Sequence, residues 1–443
     1  MKKIKSLVNL LSNNFLISYF LFKISPPFWV LFGTKYREIY KSLAFTTNVQ
    51  LNNLLKIANY GIQKTKFYKD SKTSRLKSIT EFEETFTTIS KENLNNSFNE
   101  FKSQNFSLSK YDLMTTGGTS GAPTKFFVPK DRYKKEFAIY HKIWSSLGYK
   151  KELRGVLRNE KLPIQKIYKL NPVTKELIFD GFRNNDNYYQ QIYESLIKFK
   201  VYYIQGYPSS VFNFFVYVKT ANLDTSFIKG IFLSSEIFLK HQRKLLKEDL
   251  SLPIISVYGH SEKLVLAVDF KGNNEYQVIE EYGYLELLDQ RGNVIREKGV
   301  LGEIVGTTFD NYGMPLIRYR TGDFSSYLQY KSGTNRVLDG IQGRWQEMKI
   351  FNYDGSFVTP TALNLHDDLY NCINGLQYFQ SKKGKLEVRI IPNKNYNEIV
   401  ENKFLSHFKD RMAPDSLISI IKVDELKKRK NGKFILLESQ INL

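Results

Sequence analysis

Apolar residues recur at helical spacing through residues 36–100, as in Leu51, Leu54, Leu55, Ala58 and Ile62, and this predicts helices there. Further along, short apolar runs of strand length alternate with helical ones. Val201-Tyr202-Tyr203-Ile204 leads into Gly206-Tyr207-Pro208-Ser209-Ser210, a strand followed by a turn and a helix start. Ile228 to Leu233 ends at Ser234-Ser235-Glu236, and Pro253 to Val257 ends at Tyr258-Gly259. Apolar strands that end in small polar residues are what a mostly parallel sheet presents at its ligand-binding edge. From Glu280 to Tyr330 the pattern becomes hairpin-like, with a turn signal at Asp289-Gln290-Arg291-Gly292-Asn293. From Gly343 the residues suit a small α+β unit, with strands near 346–358 and 385–391 and helices between them. The pattern predicts an α/β protein.

At 443 residues the chain exceeds one compact core, so two or three domains are expected. The single cysteine, Cys372, excludes an intramolecular disulfide and a cysteine-rich zinc site. The five histidines show no metal-binding spacing. The net charge of +21 suits an anionic partner such as a nucleotide, coenzyme A, an acidic glycan or an anionic membrane face. Dispersed basic residues in a Lys-, Asn- and Ile-rich chain explain it equally. No nucleic-acid motif and no basic stripe with interleaved aromatics stands out, so nucleic acid is not an expected partner. At the N-terminus, the mainly apolar run Phe15 to Phe22 is only eight residues long before Lys23, short of the ~20 that span a bilayer. Residues 1–35 are read as a packed helix or as an amphipathic segment resting peripherally on anionic lipid through Lys2, Lys3 and Lys5. A signal peptide is not expected, since no small-residue cleavage site follows.

The chemistry concentrates in five islands. Thr115-Thr116-Gly117-Gly118-Thr119-Ser120-Gly121-Ala122-Pro123-Thr124 joins three glycines with five hydroxyls and no charge, a composition suited to wrapping a polyphosphate in backbone N–H groups. Its spacing is neither the Walker nor the dinucleotide form. A plain Gly/Thr hairpin turn is the alternative. The others are Tyr258-Gly259-His260-Ser261-Glu262, Arg318-Tyr319-Arg320-Thr321-Gly322-Asp323, Gly343-Arg344-Trp345-Gln346-Glu347 and Asn431-Gly432-Lys433. A tyrosine at a strand end can stack on a purine. Glu262 is a hard oxygen ligand suited to a nucleotide's Mg²⁺.

In this order the islands resemble the adenylate-forming superfamily of acyl-CoA synthetases and adenylation domains, and within it phenylacetate–CoA ligases and their CapK-like capsule-biosynthesis relatives. Leu54-Leu55-Lys56-Ile57-Ala58 and Phe67-Tyr68 resemble that branch's opening, so the likeness covers roughly the whole chain. It implies a large, multi-layer N-terminal domain over 1–342 and a small mobile C-terminal domain over 343–443. It implies that Thr116, Gly117, Gly118, Thr119, Ser120 and Gly121 grip the phosphates of ATP, while Ser235, Glu236, Tyr258 and Gly259 meet adenine. Asp323 would bind the ribose diol, and Arg344 would act near the ribose and α-phosphate. Glu262 would hold Mg²⁺, Gln346 would mark the hinge, and Lys433 would be the mobile catalytic lysine. The acid pocket would lie among Tyr140, His141, Gly206, Tyr207, Pro208, Ser234 and His260. Gly117 and Thr124 depart from the wider superfamily, as does Lys428-Arg429-Lys430 in place of a Pro-Arg-Thr run.

The resemblance implies an ATP-dependent ligase that forms an acyl-adenylate from a small carboxylic acid. It then passes the acyl group to CoA or to an amine on a sugar, in capsule or exopolysaccharide synthesis. Two rivals remain open: a phenylacetate or aryl acid–CoA ligase, and a non-catalytic nucleotide-binding protein at the membrane.

Overall fold

The computed structural model describes residues 15–24, 28–44, 50–69, 75–116, 124–158, 160–331, 335–343, 348–360, 362–363, 365, 367–427 and 436–441. Backbone contacts divide the chain into two units. The larger comprises 1–90, 99–112 and 128–342, and the smaller comprises 91–98, 113–127 and 343–443.

In the larger unit the strands Glu176–Asp180, Arg154–Arg158, Tyr203–Gly206, Gly230–Ser234 and Ile254–Gly259 run parallel as neighbours in a ten-stranded sheet. The sheet continues antiparallel through Leu266–Asp269 and Glu275–Val278. Its side chains divide between two cores. Ile204, Ile231, Leu233 and Ile254 join Ile192, Leu196, Val211 and Phe214 from the helices Asp186–Lys198 and Pro208–Thr220. Tyr203, Phe232, Ile255 and Val257 join Ile139, Ile143 and Trp144 from the helix Arg132–Trp144. A strand covered on both faces needs apolar residues at successive positions, which is why these runs do not alternate. The expected α/β class is what the structure contains.

The parallel register pairs Gly206 with Leu233 and Ser234 with Val257, which carries Gly206, Ser234 and Gly259 to one edge of the sheet. A Cβ at Gly206 would lie 2.3 Å from the Leu157 carbonyl oxygen, so only glycine lets these strands close there. The hairpin region forms a separate antiparallel sheet in the order Val294–Ile295, Gly283–Leu288, Gly302–Thr308, Tyr319–Ser325. Its predicted turn is held by Asp289, whose Oδ1 accepts from the amides of Arg291 and Asn293 at 2.8 Å each.

The helical reading of residues 36–100 resolves into Phe28–Ser42, Gln50–Lys64, Ile79–Thr85 and Lys91–Asn96. Ahead of them, the helix Phe15–Ile24 rests Phe22 on the core and leaves Ile17 and Phe20 exposed. Among the described residues no helix is long and apolar enough to cross a membrane.

The smaller unit orders the strands Leu417–Lys422, Lys385–Pro392, Ile373–Lys382 and Leu437–Ser439 into one sheet. The helix Glu398–Lys409 buries Phe404 and Phe408. Between the strands Phe357–Val358 and Lys385–Pro392 the structure has the expected helix, Asp367–Tyr370, and adds to it the strand Ile373–Lys382. That strand is paired on both sides and carries Asn374, Gly375, Tyr378 and Phe379, residues poorly suited to a helix.

Candidate active site

The strand Ile254–Gly259 delivers Tyr258 at its C-terminal end, and the strand Tyr319–Ser325 delivers Asp323. The Tyr258 hydroxyl donates to Asp323 Oδ2 at 3.0 Å, and His260 Nε2 lies 3.0 Å from the same hydroxyl. The Tyr258 and His260 rings meet edge to face, with centroids 5.0 Å apart. Burial first, and then the charges of Asp323 and Glu262, push the Tyr258 phenol well above its ordinary pKa. It therefore remains a protonated donor.

Asp323 is set by its own turn. Gly322 has φ of +73°, a left-handed conformation that glycine adopts without strain. Thr321 Oγ1 accepts from the Asp323 amide at 3.1 Å and donates to the Ile304 carbonyl at 2.7 Å. Glu303 accepts from the Gly322 amide at 2.9 Å and from Arg320 Nε at 2.8 Å. Arg318, in the same island, has a different job: it is buried against Glu286, with nitrogen and oxygen 3.0 Å apart, and donates to the Glu83 and Phe86 carbonyls.

Glu262 is buried at 7% exposure, and among the described residues nothing donates a hydrogen bond to its carboxylate. The turn that carries it is tied down by its neighbour. Lys263 Nζ lies 2.8 Å from Glu136 Oε2. Tyr282 donates to Glu136 Oε1 at 2.6 Å, and Arg132 Nε is 3.4 Å from the same oxygen. Tyr140 lies close enough to Glu136 and Lys263 to feel their charges. Burial alone would raise the Glu136 pKa, but Lys263, Arg132 and the hydrogen bonds outweigh it and hold the group at about 2. A depressed carboxylate pKa contributes stability that is full above the unfolded value, and it is lost as pH falls through the folded one. The destabilisation caused by Glu136→Gln, read from urea midpoints, should therefore be largest above pH ~5 and shrink toward pH ~2. A pH-independent difference would show that the pair carries no charge energy.

The acyl-side candidates separate. Gly206, Tyr207 and Pro208 form the junction between the strand Tyr203–Gly206 and the helix Pro208–Thr220, beside Ser234 on the neighbouring strand. Ser235 adopts φ of +71°, and Glu236 Oε2 accepts from the Ser209 amide at 3.1 Å. Glu236 thus satisfies an otherwise unpaired donor at that helix's N-terminus. His141 is fully buried in the aromatic core, with Nδ1 2.8 Å from the Tyr36 hydroxyl. Burial, then Arg154, holds its pKa well below the ordinary value, so it stays neutral. Gly117, Gly118, Thr119, Ser120, Gly121, Arg344, Gln346 and Lys433 lie outside the described residues, and Thr116 closes the strand Tyr111–Thr116. Sequence reasoning passed over Thr321, Lys263 and Glu136 as positioning groups. A threonine two residues before the aspartate was the one local signal available.

Residues 350–440 match the CapK C-terminal domain family. Phenylacetate-coenzyme A ligase of Pseudomonas putida is 26% identical over 162 residues, covering 35% of this chain and 36% of that protein. The Escherichia coli phenylacetate-coenzyme A ligase is 28% identical over 137 residues, covering 30% and 31%. The match therefore spans about a third of the length of these curated relatives. Among solved structures, 2-hydroxyisobutyryl-CoA ligase with 2-HIB-AMP and CoA in its thioesterification state aligns with TM-score 0.57 at 15% identity, covering 88% of this chain and 89% of that one. The same ligase in its postadenylation state aligns with TM-score 0.53 at 14% identity, covering 88% of each chain. The fold is thus similar to that of this CoA ligase.

Proposed function

We propose that this chain is an ATP-dependent carboxylate-activating ligase. The carboxylate of a small acid attacks the α-phosphorus of ATP, the bond to the β-phosphate oxygen breaks, pyrophosphate leaves and an acyl-adenylate forms. An acceptor nucleophile, the thiol of CoA or an amine on a sugar, then attacks the acyl carbon. AMP leaves, and the nucleophile's proton passes to solvent. Such chemistry depends on positioning and charge neutralisation.

The observation that carries this reading is the Tyr258–Asp323 pair at the mouth of the parallel sheet, with buried Glu262 beside it. Tyr258 offers an aromatic face for adenine, and Asp323 an acceptor for the ribose hydroxyls. A carboxylate that is buried without a hydrogen-bond donor among the described residues suits a hard cation. No group of three acidic, histidine or cysteine side chains is assembled for a metal among those residues. Glu262 would thus hold Mg²⁺ that arrives on ATP, and bound Mg²⁺ neutralises phosphate charge. The glycine- and hydroxyl-rich loop from Thr116 to Gly121 would bind phosphate oxygens. Arg344 and Lys433 would stabilise charge at the α-phosphate, and Gln346 would mark the hinge between the two steps. Gly206, Tyr207, Pro208 and Ser234 would border the acid.

A place in capsule or exopolysaccharide synthesis is supported by the CapK C-terminal domain. A second reading, an aryl acid–CoA ligase, is favoured by the phenylacetate-coenzyme A ligase matches. Pyrophosphate release measured over a panel of carboxylic acids, followed by product analysis with CoA and with amino sugars, separates them. No release with any acid would defeat the proposal. Asp323→Ala should weaken ATP binding by ~1.5–3 kcal/mol, because charge-assisted hydrogen bonds to the sugar are lost. Discrimination against 2′-deoxy-ATP should fall with it. Unchanged discrimination would place the ribose elsewhere.

A further inference from the structure

Tyr258 and Asp323, from two different sheets, and His260, just past the end of the strand Ile254–Gly259, form one directed chain of hydrogen bonds. An ionised carboxylate only accepts, and a tyrosine hydroxyl has one hydrogen. Tyr258 directs that hydrogen to Asp323 Oδ2 at 3.0 Å. The lone pairs of its oxygen then face His260 Nε2, 3.0 Å away, so His260 must be the donor and must carry a proton on Nε2. The edge-to-face contact at 88° between the two rings fixes the plane of the imidazole. On the other side, Thr321 holds the Asp323 amide. The carboxylate is therefore oriented from its backbone and from one oxygen, which leaves Oδ1 for a ligand.

We propose that His260 is a positioning residue for the nucleoside: through the Tyr258 hydroxyl it aims the Asp323 carboxylate at the ribose hydroxyls. One residue, Tyr258, then couples adenine stacking to ribose recognition. The strand Ile254–Gly259 belongs to the ten-stranded sheet and Tyr319–Ser325 to the four-stranded one, so this hydroxyl also links the two sheets at the site. Burial and the neighbouring carboxylates keep the phenol protonated, so the relay keeps its direction across the neutral range. The proposal rests on the reading that Tyr258 and Asp323 bind the nucleoside.

The test is equilibrium binding of AMP, 2′-deoxy-AMP and 3′-deoxy-AMP to the full-length chain by calorimetry. The parent should prefer AMP, and Asp323→Ala should lose that preference. Tyr258→Phe and His260→Ala should each reduce the AMP preference by ~5-fold, the loss of one ordinary hydrogen bond. His260→Gln, whose amide Nε2 can donate from the same place, should restore most of it. His260→Ala in a Tyr258→Phe background should add less than ~2-fold, because the two act through one path. A histidine with a merely structural role would weaken all three nucleotides equally. The relay is wrong if His260→Ala keeps the full preference while Asp323→Ala loses it, or if His260→Gln behaves like His260→Ala. A parent chain that binds AMP and both deoxy analogues alike would overturn the nucleoside reading itself, and the relay with it.

Discussion

Replacing Lys433 by alanine should lower ATP–pyrophosphate exchange by ~10²–10³, the usual loss when one charge-stabilising group is removed from a developing transition state. The expectation rests on the likeness of Asn431-Gly432-Lys433, near the end of the chain, to the catalytic lysine of adenylate-forming enzymes. Charge accumulates on the α-phosphate oxygens as the carboxylate attacks, and a single lysine can neutralise it. The second step needs no such cation, because AMP is already a good leaving group. Supplied acyl-adenylate should therefore react with the acceptor at close to the parent rate. Lys433→Arg should recover only part of the loss, because a planar fork replaces a compact charge. Parent-like exchange in the alanine variant would dismiss the assignment.

The largest stability effect should come from Arg336→Met. Arg336 and Glu280 are each 2% exposed and paired twice, Nε to Oε1 at 2.9 Å and a second nitrogen to Oε2 at 2.6 Å. Arg336 also donates to the Leu285 carbonyl, and Gln50 donates to Glu280. Removing the guanidinium strands a carboxylate in the core, which typically costs ~3–5 kcal/mol. Pairing it with Glu280→Leu removes the stranded charge and should return most of the lost stability. Urea unfolding of both variants checks this. A single variant as stable as the parent, or a double variant no better than the single, would show that the pair is not what holds these segments.

The parallel strands were legible because burial on both faces writes an unbroken apolar run, as in Gly230–Ser234 and Ile254–Gly259. Their ends were legible for the same reason, since Gly206, Ser234 and Gly259 interrupt those runs. What the chain does not write locally is contact between distant residues. Tyr258 and Asp323 are separated by 65 positions, and each could be named a nucleoside contact while their hydrogen bond could not. The part Glu236 plays at the helix Pro208–Thr220 was hidden similarly, since the amide it caps lies 27 positions away. Buried ion pairs such as Arg154–Glu176 look like ordinary solvated charge until the sheet places them. The strand Ile373–Lys382 was missed because its two buried glutamines read as polar surface.

One of those glutamines and the tyrosine beside it set a mechanical limit on the small unit. Gln377 and Gln380 are fully buried. The Gln377 side chain donates to the Lys427 carbonyl at 3.0 Å and accepts from its amide at 3.2 Å. One residue along the same strand, the Tyr378 amide donates to the Leu436 carbonyl at 2.8 Å. The chain that leaves at residue 427 is thus moored again at 436, with both moorings on one strand. Lys433 is three positions from the nearer mooring, so its Cα can stray at most ~11 Å from Leu436, even fully extended. A lysine on so short a leash cannot search for a distant phosphate by itself. Its reach is set by where its own sheet goes, and loosening Gln377 would leave that limit in place, because the nearer mooring at Leu436 is made by Tyr378.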